Sequence, residues 1–198
     1  DFDIGYISEK YHAVLNSESF FGDNHIWRSQ AFDFDHAIGF VSADNSCVIF
    51  RDITGQQPKR YFNLTVDQDN PNSSKIYNIA SKIDILSDEV NLVMAEGIFD
   101  IIGVYEFFYK GKVDESKYIF AAVCGKDYDS VIRKYVRMGF LNLKVSIYSD
   151  SDVDVSYFAW LKKNSIYLQD STLEVYYNTI EKDYGIPKDR ISLRKAIL

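Results

Sequence analysis

The stretch "VNLVMAEGIFD", residues 90–100, decides the fold of this chain. Its first part, 90–95, is a nearly continuous apolar run, which is typical of a β-strand that is covered on both faces. Over 98–110, apolar residues recur at spacings of three and four, and this periodicity predicts a helix. Glu96 and Gly97 lie between the two, so the stretch predicts a buried strand, a tight turn with a carboxylate, and a helix.

The alternation of strand and helix continues toward the carboxyl terminus. The pattern predicts further strands at 118–124, 143–149 and 173–178, and further helices at 127–139 and 154–163. This alternation predicts an α/β fold with a mainly parallel central sheet, flanking helices and right-handed crossovers. Ligands of such sheets bind beyond the carboxyl ends of the strands, so the residues that follow each strand are the candidates for function.

The first part of the chain has a different sequence pattern, with many turn-forming residues and short β-like runs. It predicts strands at 37–42, 46–53 and 60–66. The polar loop 67–75 contains Asn-Pro and is the candidate boundary between two lobes. We therefore predict a smaller, mixed, strand-rich lobe over 1–88 and an α/β domain over 89–198.

Composition limits the classes of protein to which the chain can belong. Its 198 residues are 46% hydrophobic, enough to bury a core. No apolar run approaches the roughly 20 residues of a membrane span, and no secretory leader is visible, so we expect a cytoplasmic protein without a membrane partner. The first residue is Asp rather than Met, so we expect a piece of a longer protein.

Cysteine, histidine and charge narrow the possibilities further. Cys47 and Cys124 are far apart and the three histidines lack metal-motif spacing, which argues against a zinc site. The net charge of −7 argues against a simple electrostatic binder of nucleic acid. Acids gathered in a metal site would contribute to that charge, because a bound cation offsets them locally.

Carboxylates follow three of the predicted strands. Glu96 follows the first, with Asp100 one helical turn later, and the run "DSDVD" (150–154) and the segment "EKDYGIP" (181–187) follow two others. Carboxylates that lie close together repel each other. A hard divalent cation that binds oxygen ligands removes this repulsion, and Mg²⁺ fits such a site best. The alternative is that these acids only cap helices and turns, and we assign that role to Asp154.

A strand ending in Glu-Gly with Asp four residues after the Glu, followed by a later strand ending in Asp-x-Asp, resembles the Toprim domain. Bacterial-type DNA primases, type IA and type II topoisomerases and some nucleases share this domain, and the resemblance covers about 88–185. It implies a Rossmann-like sheet and a catalytic or metal-associated role for Glu96. It also implies that Asp150 and Asp152 hold Mg²⁺, with Mn²⁺ as a substitute, and Asp183 is matched to a further metal ligand.

Among Toprim activities, the chain is most similar to a primase core, which pairs a Toprim lobe with a preceding lobe of mixed strands. The resemblance implies synthesis of RNA primers from ribonucleoside triphosphates on single-stranded DNA, with a replicative helicase as partner. The segments "FRDITGQQPKRYFN" (50–63) and "KDYGIPKDRI" (182–191) are similar to phage-encoded primases, which implies action in a host cytoplasm. A Toprim nuclease and a catalytically silent binding module are the alternatives.

Several residues are further candidates for contact with nucleotide or template. They are Arg28, Arg51, Lys59, Arg60 and Lys126, together with Gly97 and Asp100 of the Glu-Gly motif. For each cation, an ordinary surface charge is an equally good interpretation. Tyr61, Phe62 and Tyr77 are candidates for stacking on bases, although a chain with 16% aromatic residues also uses such side chains in its core.

Overall fold

The computed structural model describes residues 4–15, 32–65, 74–79, 83, 89–169 and 171–198. The chain divides into two compact units, Phe2–Tyr77 and Asn78–Leu198. The larger unit begins ahead of the predicted boundary at 88/89, because a short strand around Asn78 joins its sheet. Most of the predicted boundary loop, 67–75, lies outside the described residues.

The smaller unit contains one helix and an antiparallel sheet of three strands. They are α1 (Ile4–Tyr11), β1 (Ala37–Val41), β2 (Cys47–Asp52) and β3 (Tyr61–Thr65). The strands pair in the order β1-β2-β3, which confirms the three strands predicted from the sequence. A cluster of phenylalanines forms part of its core, and Phe62 packs on Phe32 and Phe34 with ring centroids 5.5 and 5.2 Å away.

The larger unit is an α/β unit built on a six-stranded sheet of order β4-β6-β5-β7-β8-β9. The strands are β4 (Tyr77–Ile79), β5 (Val90–Ala95), β6 (Tyr118–Ala122), β7 (Leu143–Ser149), β8 (Leu173–Asn178) and β9 (Leu193–Ile197). β5 pairs in parallel with β6 and β7, and β7 pairs in parallel with β8. The predicted α/β class with a parallel central sheet is therefore confirmed.

Three helices follow β5, β6 and β7. They are α2 (Ile98–Val104), α3 (Tyr128–Arg137) and α4 (Val155–Asn164), and α2 continues into a π-helical turn, Tyr105–Tyr109. The side chain of Asp154 accepts a hydrogen bond from the backbone N–H of Ser156 at 2.7 Å and caps α4, as predicted. No described helix is long and apolar enough to cross a lipid bilayer.

Two strands of the larger sheet were missed by the sequence analysis. β4 has only three residues, and β9 is almost entirely exposed, so neither has the continuous apolar run that identified the inner strands. β9 runs antiparallel to β8 at the edge of the sheet. A short or exposed edge strand of this kind leaves little hydrophobic pattern in the sequence.

Helix α2 and the segment that follows β8 approach each other closely, with one glycine on each side of the contact. A Cβ atom added to Gly103 would collide with the backbone carbonyl oxygen of Tyr184. A Cβ atom added to Gly185 would lie 2.9 Å from the Cβ of Phe99. The two backbones can therefore meet only where neither residue has a side chain.

We predict that Gly103→Ala lowers the free energy of unfolding by about 1–3 kcal/mol, because the new methyl group meets backbone that cannot move aside. An ordinary glycine-to-alanine change inside a helix would raise that free energy by about 1 kcal/mol, so the sign of the effect is diagnostic. Denaturant titration measures it. Gly125→Ala is the control, since nothing lies within 4 Å of its added Cβ. A stabilising Gly103→Ala would contradict the close approach.

Candidate active site

The sheet topology brings two of the predicted carboxylates to neighbouring strand ends. β5 and β7 are adjacent and parallel, with Ala95 opposite Tyr148, so Glu96 and Asp150 follow neighbouring strands at the same edge. Glu96 is partly buried, and Asp150 is only 7% exposed. Burial raises the pKa of Glu96, and the negative charge of Asp150 raises it further. The two acids therefore form one electrostatic site.

Asp150 and Asp152 both form an ion pair with Lys182. The Nζ atom of Lys182 lies 3.1 Å from Oδ2 of Asp150 and 2.8 Å from Oδ2 of Asp152. The hydrogen bond from Lys182 lowers the pKa of Asp152, which is exposed. Burial raises the pKa of Asp150 in spite of the same ammonium group. We refer to Asp150 and Asp152 as the carboxylate pair.

Lys182 was not among the residues that the sequence analysis selected. It immediately precedes Asp183, the predicted further ligand, whose carboxylate was the only feature of this segment that indicated a role in the site. The signal that could have identified it is chemical: acids that converge at strand ends need a cation, and the chain carries a lysine beside the last of them.

Asp183, the predicted further ligand, directly follows Lys182 in the segment after β8. Its side chain is exposed, and its backbone carbonyl accepts a hydrogen bond from Nδ2 of Asn178 at 3.1 Å. Its negative charge contributes to the raised pKa values of Asp150 and Asp100. Within the described part of the chain, no three carboxylate, histidine or cysteine side chains are grouped as a metal site.

Asp100 links helix α2 to the segment after β8. Its Oδ1 atom accepts hydrogen bonds from the backbone N–H groups of Tyr184 at 2.9 Å and Gly185 at 3.3 Å. A Cβ atom on Gly97 would lie 2.5 Å from Oδ2 of Asp100, so the glycine leaves room for this carboxylate. The Glu-Gly-x-x-Asp spacing thus has a structural reason: its Asp positions the segment that carries Lys182.

Tyr184 holds the same segment from the other side. Its side chain is fully buried, and the single proton of its hydroxyl is shared between the backbone carbonyls of Ser149 at 3.1 Å and Tyr176 at 2.9 Å. One hydroxyl is therefore shared between the ends of β7 and β8. Together with Asp100, it keeps Lys182 next to the carboxylate pair.

Lys126 lies at the margin of the site. It is exposed in the loop after β6, and its positive charge lowers the pKa of Glu96 and of Asp152. Its backbone carbonyl accepts a hydrogen bond from the hydroxyl of Tyr157 at 2.6 Å. The contact of Lys126 with nucleotide or template stays a prediction.

The remaining predicted cations belong to the smaller unit. Arg51 lies over the ring of Tyr61, with its Cζ atom 4.6 Å from the ring centroid, and Tyr61 is 48% exposed. Lys59 and Arg60 are exposed in the turn before β3. Arg28 lies outside the described residues.

Of the aromatic residues predicted to stack on bases, Tyr77 is buried against Phe40, with ring centroids 5.3 Å apart. Phe62 packs in the phenylalanine cluster. Both rings are therefore used for packing within the protein. Tyr61, which already contacts Arg51, is the one of the three whose ring is largely exposed.

Comparison with known families finds no family model that matches the chain, and comparison with curated proteins finds no significant match.

We predict that Asp100→Ala lowers the free energy of unfolding by about 1–3 kcal/mol, because two backbone N–H groups lose their acceptor. Chemical denaturation measures this change. Asp114→Ala is the control, because Asp114 is exposed and accepts from the backbone of Ser116 only within its own turn. The interpretation of Asp100 is wrong if the two variants lose the same stability.

Proposed function

We propose that this chain is the catalytic core of a DNA primase, which joins ribonucleotides into short RNA primers on single-stranded DNA. The observation that supports it best is the placement of Glu96, Asp150 and Asp152 after two adjacent parallel strands. The Toprim-like motifs predicted this arrangement. A replicative helicase is the proposed partner, and the similarity to phage primase segments favours action in a host cytoplasm.

We propose that the carboxylates at this edge bind a divalent cation. The carboxylate pair already shares one positive charge, with the Nζ atom of Lys182 at 3.1 and 2.8 Å from its oxygens. Carboxylate oxygens are the ligands that Mg²⁺ prefers. Glu96, which follows the adjacent strand, and Asp183, whose charge acts on Asp150, are the proposed further ligands. Mg²⁺ or Mn²⁺, when bound, supplies positive charge for the phosphoryl group being transferred and lowers the pKa of the attacking 3′-hydroxyl.

Glu96 and Lys182 have distinct roles in this proposal. Burial and the charge of Asp150 raise the pKa of Glu96 toward neutral pH. A raised pKa suits a residue that exchanges a proton with substrate. Lys182 keeps the two negative charges of the carboxylate pair together before substrate binds. Its own position is set by the hydrogen bonds of Asp100 and Tyr184 to the rest of the unit.

Primer synthesis on single-stranded DNA with ribonucleoside triphosphates and Mg²⁺ or Mn²⁺ tests the proposal. We expect the full protein with Asp150→Ala and Asp152→Ala to lose Mn²⁺ binding and primer synthesis, because no acidic pair remains. Glu96→Gln should reduce the rate by about 10²-fold or more while Mn²⁺ still binds. Asp154→Ala is the control, since this neighbouring acid only caps α4 and should leave activity nearly unchanged.

Two other results would replace the proposal. Cleavage of nucleic acid without triphosphates, and without primer synthesis, would assign the site to a nuclease. If neither reaction occurs and the paired alanine substitutions leave Mn²⁺ binding unchanged, the metal-dependent reaction is wrong, and a silent binding module is favoured.

Lys182 provides a separate prediction about metal affinity. A divalent ion at the carboxylate pair must displace the ammonium group, so Lys182→Gln should bind Mn²⁺ more tightly. We expect up to about a fivefold gain, because the ion pair of Lys182 with Asp152 is exposed and therefore weak. Titration followed by electron paramagnetic resonance measures the free ion. Lys188→Gln removes the same charge from an exposed position nearby in sequence. Equal affinity in both variants would show that Lys182 does not compete with the ion.

A further inference from the structure

A cleft of about 360 Å³ opens beside the carboxylate pair. Ser151, which stands between Asp150 and Asp152, lines one side of it, and Lys182 contributes to another. Residues at the end of β8 and Arg194 of β9 complete the lining. A cleft of this volume has the size of sites that take a small ligand or part of a larger one.

Of the charged residues that line the cleft, Lys182 is already ion-paired with Asp150 and Asp152. Glu181 also lines it, but its carboxylate is paired with Arg190. Arg194 is exposed, and among the described residues it makes no ion pair. Its guanidinium lies over the ring of Tyr177, with the Cζ atom 5.3 Å from the ring centroid. The ring supports the guanidinium without neutralising it.

Tyr177 supplies a second, independent observation. It lines the cleft, its side chain is only 4% exposed, and its buried hydroxyl has no hydrogen-bond partner among the described residues. A buried hydroxyl without a partner costs about 1–3 kcal/mol. A ligand with acceptor oxygens would remove that cost, so the hydroxyl and the guanidinium favour the same kind of ligand.

We infer that this cleft binds a phosphate group, with the guanidinium of Arg194 as its main cation and the hydroxyl of Tyr177 as a further donor. Arginine suits phosphate because its planar group donates two parallel hydrogen bonds. The inference rests on the proposed function in that the phosphate belongs to a nucleotide or to a nucleic-acid strand that reacts at the neighbouring acids. Binding itself does not require a metal ion.

The test compares Arg194→Gln with Lys195→Gln in the presence of a chelator. The two residues are neighbours on β9 with side chains on opposite faces, and Lys195 pairs with Glu174 at 2.6 Å, away from the cleft. Both variants lose one charge, so a non-specific electrostatic effect weakens binding equally in each. The probes are tripolyphosphate, ATP and a single-stranded oligothymidylate, each titrated into the full protein.

We expect Arg194→Gln to weaken binding by about tenfold or more and Lys195→Gln by less than about twofold. Tyr177→Phe keeps the ring under the guanidinium and should cause a smaller, measurable loss. Loss of tripolyphosphate and ATP binding assigns the cleft to a free nucleotide. Loss of oligothymidylate binding alone assigns it to a strand phosphate.

The inference is overturned if the wild-type protein binds none of the three probes, or if the two charge variants weaken binding equally. Its failure is distinct from failure of the proposed function, which is judged by Mn²⁺ binding and primer synthesis without chelator. If phosphate binding depends on Arg194 but the protein makes no primers, the primase proposal is rejected and the phosphate site in the cleft is supported. Primer synthesis by a protein whose phosphate binding does not depend on Arg194 would support the primase and reject the phosphate site.

Discussion

The carboxylate of Asp100 and the two backbone N–H groups that it accepts from, those of Tyr184 and Gly185, hold the candidate site together. This contact joins a helix that follows β5 to a segment that follows β8, elements far apart in sequence. It is possible only because Gly97 leaves space for the carboxylate and Gly103 leaves space for the carbonyl of Tyr184. The Glu-Gly-x-x-Asp motif, whose spacing predicted a catalytic role, therefore also positions the segment that carries Lys182.

Electrostatics imposes the second constraint. Carboxylates at adjacent strand ends repel, and burial adds to the cost of keeping them ionised. A positive charge of the protein itself offsets this repulsion, because the Nζ atom of Lys182 lies 3.1 Å from Asp150 and 2.8 Å from Asp152. The same ammonium is held next to the cleft of Arg194, so one residue connects the acids with the proposed phosphate site.

The sequence predicted the inner strands and the helices of the larger unit well, because β5 and β7 are apolar runs and α4 begins at a capping Asp154. It also placed Glu96 and Asp150 at the carboxyl ends of parallel strands, and the structure shows that these two strands are neighbours. It could not find β9 or its Arg194, because an exposed edge strand has no hydrophobic pattern. Lys182 was missed for another reason: its importance arises from contacts made across 30 and more positions of the chain, which local spacing does not reveal.

The place of β9 in the sheet has a consequence for the cleft beside it. Among the described strands, β9 pairs only with β8, and most of its residues are exposed. An element held along one edge opens at a lower free energy than the inner strands, so its backbone amides exchange hydrogen sooner than those of β5 or β7. Each such opening removes the guanidinium of Arg194 while the acids keep their geometry. A ligand held by that guanidinium would in turn slow the exchange, which links occupancy of the cleft to the local stability of the last strand.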